Sequence, residues 1–210
     1  TPKAQLRAVF TAVMTADAAA VAEQVDALAA RLLSSADVGV ALDRKDVLAL
    51  RLHVQYPQDV GVLCAYLLNF ITLAPGQCIY LAANEPHAYL LGECVEVMAT
   101  SDNVVRAGLT PKLRDTAILC DMLTYTAGMP DILEGDVLDA VTRRYTPPFD
   151  EFQVEVLTVG AGDTYAVAAS PGPCVMLVQG GGGTVGGKEA SRGAVVFASA
   201  GEQVEVAAAA

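Results

Sequence analysis

The sequence predicts a mainly β protein with a helical segment at its N-terminal end, and three observations carry that assignment. Apolar residues recur at three-to-four spacing through the first third of the chain. After Pro57 the texture changes to short apolar runs punctuated by Pro-Gly and Asn-Glu-Pro. From Phe152 onward, short β-rich segments alternate with Gly-rich turns at even spacing, the pattern of a β-sandwich or barrel.

Between Lys3 and Leu33, Leu6, Val9, Phe10, Val13 and Met14 form one apolar stripe, and Val21, Val25, Leu28 and Leu32 form a second. Two amphipathic helices follow from this, with Thr15-Ala16-Asp17 capping the second and Ser34-Ser35 ending it. A third helix is expected from Asp46 to Gln55, stopped by Pro57. The apolar run Val60–Ala74 is about 15 residues long and interrupted by Asn69 and Thr72. A membrane helix needs about 20, so the run reads as core. Residues 58–100 then read as antiparallel strands and turns. Ala117–Leu123 fits a helix or a strand equally well. In the last third, "FQVEVLTV", "YAVAA", "CVMLVQ", "AVVFA" and "QVEVA" are the expected strands, and "QGGGGTVGG" from Gln179 to Gly187 is a hairpin turn. It lacks the Gly-Lys-Ser/Thr and the strand-to-helix setting of a phosphate loop.

One internal echo bears on architecture. With Gly76 laid over Gly193, "GQCIYLAANEPHAYL" lies over "GAVVFASAGEQVEVA", so both stretches read as glycine turn, apolar strand, small-residue loop, second strand. This predicts two similar β-barrel domains. The second copy has Val204 where the first has His87, which leaves the first alone able to hold a metal at that position.

Composition narrows the partners. Thirteen Lys and Arg against 24 Asp and Glu give a net charge of −11, a field that repels polyanions, so nucleic acid is not an expected partner. The five cysteines, Cys64, Cys78, Cys94, Cys120 and Cys174, are odd in number, scattered and without a Cys-x-x-Cys pair. They are expected to be reduced, mostly buried apolar residues. With no signal-like N-terminus and no membrane span, a cytoplasmic setting is expected. The opening at Thr1, directly into helical sequence, is expected of a fragment.

The residues able to do chemistry gather in "NEPHAYLLGECVEVMATSDNVVRAGLTPK". His87 is one of two histidines. A lone histidine is most often a hydrogen-bonded structural residue, and His53, near the end of the third helix where the dipole favours imidazolium, keeps that reading. His87 differs by its company: rigid Pro86 beside it and charged groups in strand-like spacing after it. Tyr89 and Glu93, two and six residues on, would share its face of an unbroken strand. Glu96, nine residues on, joins them only if a turn or bulge around Gly92 resets the parity. Ser101-Asp102-Asn103 is a turn signal, and Arg106 and Lys112 flank a bend at Gly108. Read blandly, these are solvated loop charges. Read functionally, they are two cations near a histidine in an acidic protein, a place for a phosphate or a developing oxyanion.

This run closely resembles the signature region of the type I mannose-6-phosphate isomerases, and the preceding "YPQDVGVLCAYLLNFITLAPGQ" resembles the segment just upstream in that family. The resemblance is dense from about Tyr56 to Asp121. It implies cupin-type (jelly-roll) β-barrels with an N-terminal helical insertion: residues 1–57 the insertion, 58–110 the closing strands of an incomplete catalytic barrel, 111–210 a C-terminal cupin-like barrel. It further implies a zinc-dependent aldose-ketose isomerase that interconverts mannose 6-phosphate and fructose 6-phosphate through an enediol. On that reading His87 is a zinc ligand, Glu96 and Arg106 are catalytic, and Tyr89, Asp102 and Lys112 lie near the sugar or its phosphate. A carboxylate suits proton abstraction and a guanidinium suits enediolate charge. The imidazole is then expected to face a barrel cavity shared with Glu96 and Arg106. The family's other zinc ligands, a Gln-x-His pair and a separate glutamate, precede the helical insertion, and this chain contains no Gln-x-His. The rival reading is a non-catalytic cupin-like protein that binds sugar phosphate.

Overall fold

The computed structural model describes residues 1–101 and 103–210, in two compact units, Thr1–Glu134 and Gly135–Ala210. The first is helical at its centre. Helix α1 is Pro2–Met14, α2 Ala18–Asp37, α3 Arg44–Gln55, α4 the single turn Gly61–Cys64, and α5 Thr116–Met122. Asp17 caps α2 by accepting from the amides of Ala19 and Ala20, and Asp43 caps α3 through Lys45 and Asp46. Helix α2 does not end at Ser34-Ser35, because the Ser35 hydroxyl bonds back to the Arg31 carbonyl and the chain leaves the helix only near Gly39, at φ +83°. The open choice at 117–123 resolves as helix, with Asp115 accepting from the Ile118 amide.

Phe10, Met14, Val25, Leu32, Leu48, Leu52, Val62, Leu119 and Leu123 make one continuous core. Phe10 and Tyr125 meet edge to face at 5.9 Å, and Arg7 pairs with Asp121 at 2.8 Å, so α5 is fastened to α1. That packing places α5 in the first compact unit, Thr1–Glu134.

The strands expected across 58–100 are not formed as paired strands. Residues 61–64 are helical, and β1 (Cys78–Ile79) pairs antiparallel with β2 (Ile132–Leu133) over two residues. Beyond β1, residues 80–115 run without ladder hydrogen bonds among the described residues. A strand has no internal hydrogen bonds, so a β-competent sequence without a neighbour stays irregular.

In the second unit every expected strand finds a partner. Strands β3 (Asp136–Val137), β4 (Thr142–Tyr145) and β5 (Val154–Leu157) form one antiparallel sheet. A four-stranded sheet runs in the order β6 (Thr164–Val167), β11 (Val204–Ala208), β8 (Gly182–Val185), β9 (Lys188–Ser191), and β7 (Cys174–Leu177) pairs with β10 (Val195–Ala198). Val185, Ala190, Ala198 and Val204, with Met176 and Val196, fill the space between these last two sheets. The glycine run from 179 to 187 holds more than a turn: Gly182–Val185 is strand β8, and only Gly186-Gly187, at φ +57° and +72°, makes the turn to β9. Gly183 must lack a side chain, since a Cβ there would collide with the Ala207 carbonyl on the neighbouring strand.

Candidate active site

The loop before His87 is built from backbone chemistry. Asn84 takes a left-handed φ of +65°, which Asn tolerates better than most residues, and its carbonyl accepts from the Thr124 amide at 3.3 Å. The Glu85 carboxylate accepts from the Thr124 hydroxyl. The loop is thus tied to the chain leaving α5, a link that nothing in the local spacing indicates.

His87 Nδ1 lies 2.9 Å from the Glu85 carbonyl oxygen. A carbonyl only accepts, so Nδ1 carries a proton, the arrangement in which a backbone carbonyl holds a metal-ligating histidine that binds through Nε2. The His87 and Tyr89 rings are 5.7 Å apart, and the Tyr89 hydroxyl donates to Glu96 Oε1 at 2.7 Å. Gly92, at φ +109°, makes the turn that brings Glu96 back to Tyr89 despite its odd spacing from His87. Burial, then the hydrogen bond to the Glu96 carboxylate, push the Tyr89 hydroxyl well above the usual phenol range, so it stays a donor.

The structure therefore brings His87, Tyr89 and Glu96 together. It places them on an exposed surface: all three side chains are solvent-accessible, Tyr89 at 58%. Among the described residues no strand pairs with the segment that carries the imidazole, and the ring stands at the surface rather than in the expected cavity. Arg106 is half-buried, and neither it nor the exposed Lys112 contacts His87, Tyr89 or Glu96 by a hydrogen bond or ion pair among the described residues. Asp102 lies outside the described residues. Glu93, exposed as well, makes no described contact with the cluster. Two clefts elsewhere, one along β4 beside Asp139 and Thr142, one between α2 and Tyr66, include none of these residues.

As a metal site the cluster is incomplete. His87 is exposed and held through Nδ1, but catalytic zinc takes three protein ligands. Among the described residues no group of three or more His, Cys, Asp or Glu side chains is arranged to hold a metal.

Val105, Ala107 and Leu109 pack against the helical core, with Arg106 half-buried among them. All five cysteines are free, and no single helix among the described residues is long and apolar enough to cross a membrane.

Comparison with known proteins adds identity to this geometry. Residues 1–68 match the family model of the phosphomannose isomerase type I helical insertion domain. The chain is 43% identical over 208 residues to mannose-6-phosphate isomerase 1 of Arabidopsis thaliana, covering 97% of this chain and 48% of that one. It is 40% identical over 185 residues to the mannose-6-phosphate isomerase of Homo sapiens, covering 83% of this chain and 43% of that one. Its fold superposes with a TM-score of 0.83 on the crystal structure of mannose 6-phosphate isomerase from Salmonella typhimurium bound to its substrate fructose 6-phosphate and to zinc, at 25% identity, over 99% of this chain and 52% of that one. The chain spans about half the length of the relatives it matches.

Proposed function

We propose that this chain belongs to the type I phosphomannose isomerase family and supplies the substrate-facing part of a zinc-dependent isomerase acting on mannose 6-phosphate and fructose 6-phosphate. The reading is supported foremost by the alignment to the Arabidopsis relative across 97% of the chain. On this reading the Glu96 carboxylate takes the proton from C2 of the open-chain aldose and returns one to C1, while a proton passes from O2 to O1. The Arg106 guanidinium faces the enediolate oxygen. Tyr89 orients Glu96 through the hydrogen bond already in place. Asp102 and Lys112 serve the sugar hydroxyls and the phosphate.

Bound zinc would polarise the sugar oxygens. His87 is one donor for it through Nε2, and the other two are assigned to residues outside this chain. A cytoplasmic setting and a sugar-phosphate partner go with this reading. The exposed His87 and the incomplete donor set also suit a second reading, a module that binds sugar phosphate without turnover.

The test mixes this chain, zinc and a separately produced fragment covering the half of the Arabidopsis enzyme that this chain does not align to. Interconversion of the two sugar phosphates is expected in the mixture, and Arg106→Ala is expected to lower kcat about 100-fold with little change in KM. Sugar-phosphate binding without turnover in the mixture would favour the second reading.

A further inference from the structure

The backbone of the segment bearing Arg106 has few polar attachments to the rest of the molecule. Among the described residues, 103–112 make no backbone–backbone hydrogen bond. The Lys112 amide bonds locally to the Thr110 hydroxyl. The Leu109 amide, three residues after Arg106, donates at 2.8 Å to Asp59 Oδ1, fifty residues away in sequence. The same oxygen accepts from the Gly61 amide at 2.7 Å. One carboxylate oxygen therefore joins the start of α4 to the chain that carries Arg106.

The surroundings leave this junction little slack. A Cβ on Gly108 would stand 2.5 Å from Gly61 Cα and 2.8 Å from Asp59 Oδ1, and a Cβ on Gly61 would stand 2.7 Å from Leu109 Cγ. The two backbones thus touch at paired glycines. Leu109 is held at φ +58°, a conformation unfavourable for a leucine unless its neighbours impose it. Asp59 is itself fixed: its carbonyl accepts from the Val62 amide at 3.1 Å, and the preceding Gln58, at φ +62°, donates to the Asp26 carboxylate on α2 at 2.8 Å. The anchor belongs to the helical core, and the anchored segment belongs to the site.

We propose that Asp59 is the positioning residue for Arg106: its Oδ1 sets the register in which Val105, Ala107 and Leu109 dock on the helical core and so fixes where the guanidinium is presented. The proposal rests on the reading of Arg106 as a substrate-facing group. It does not require the carboxylate's charge. An asparagine at 59 keeps an Oδ1 with two lone pairs and can accept both amides, whereas alanine can accept neither.

The experiment follows the Leu109 amide and the Arg106 Nε–H by NMR in the 210-residue chain, with fructose 6-phosphate as the binding probe. In Asp59→Ala, Leu109 exchange is expected to speed up about tenfold or more, Arg106 Nε–H to shift, and fructose 6-phosphate binding to weaken about tenfold. Asp59→Asn is expected to restore all three to within about threefold. In an Arg106→Ala background, Asp59→Ala is expected to cost no further affinity, because the two changes remove one effect. Should Asp59→Ala fail to fold, Asp59→Glu, which moves the acceptor along by one methylene, is expected to shift Arg106 Nε–H in a folded chain. Unchanged Leu109 exchange and Arg106 resonance in the folded variant, or full additivity with Arg106→Ala, would overturn the proposal. If the unmodified chain binds no fructose 6-phosphate, the functional reading of this chain fails, and exchange and resonance still decide the role of Asp59.

Discussion

At Gly76 and Gly193 the backbone turns at φ +85° and +89°, and eight residues later Asn84 and Gly201 turn at +65° and +77°. The hydrogen bonds repeat as well. Gln77 donates to the Ala74 carbonyl at 3.0 Å and Ala194 to Ser191 at 2.9 Å, while Glu85 donates to Ala82 at 3.3 Å and Glu202 to Ser199 at 3.1 Å. Both of these turn bonds in the first stretch have a counterpart 117 positions along in the second. Yet in the second stretch β10 pairs with β7 over four residues and β11 is flanked by β6 and β8, whereas in the first β1 has two paired residues and, among the described residues, 88–98 have none. The turns are local and form wherever their sequence occurs. The ladders are not local, and the first copy lacks the neighbours that the second copy has within 50 residues of its own chain.

The comparison breaks most sharply at the aligned pair His87 and Val204. Val204 is 5% exposed between two sheets, and Val204→His is expected to destabilise the second unit by about 3 kcal/mol through lost packing and a buried imidazole. His87→Val, on an exposed surface, is expected to cost less than about 0.5 kcal/mol. Urea unfolding of both variants measures the contrast, and equal effects would mean that the first copy is as well packed as the second.

A pH experiment asks whether the helical core holds together independently of either copy. Burial, and after it the negative charge of Asp59, push the Cys64 thiol up to about 11 from an ordinary 9.0. Between those values the unfolded chain has lost a proton that the folded chain keeps. The associated stability is therefore full below pH 9 and is lost as the pH rises towards 11. The loss is expected to be on the order of 2 kcal/mol. Cys64→Ala should flatten the alkaline fall of the helical signal; an unchanged slope would show that Cys64 is not buried as described.

The turn glycines give a smaller effect. Gly76 and Gly193 both have open space where a Cβ would go, so alanine at either adds only left-handed strain, about 1–2 kcal/mol. Gly193→Ala is expected to lower stability by that full amount. Gly76→Ala is expected to lower it by less than half as much, because the turn leads into only two ladder pairs. Smallest of all, exchanging the loop residues by Asn84→Gly and Gly201→Asn should change stability by a few tenths of a kcal/mol, since Asn is among the residues that tolerate the left-handed region. Thermal unfolding resolves each of these, and a loss above about 1 kcal/mol for either exchange would contradict the shared turn geometry.

The same distinction explains what was legible in the sequence. The helices were readable because period and caps are local: Leu6, Phe10, Val13 and Met14 face the core as expected, with Val9 turned to solvent, and Asp17 caps α2. Strands β5, β6, β7, β10 and β11 were readable because alternation and turn residues bound them. Strand β8 was not, since Gly182 and Gly183 carry no pattern and the need for glycine at 183 comes from Ala207, 24 positions further on. The short strands β2, β3 and β4 were missed for want of apolar runs. At the site, the turn at Gly92 that returns Glu96 to Tyr89 could be anticipated from a glycine at the right offset. The ties of Glu85 to Thr124 and of Asp59 to Leu109 could not, because they cross 39 and 50 positions with no periodic signal.

Just beyond the first copy, Leu91, 90% exposed, and Val95, Val97 and Met98 present apolar side chains to solvent. Amide hydrogen exchange across residues 88–98, measured before and after adding the complementary half of the Arabidopsis enzyme, tests the account most directly. The account predicts fast exchange in the chain alone and slowing by about 1,000-fold in the mixture, as unpaired backbone enters a ladder. Slow exchange in the chain alone, or no change on mixing, would contradict it.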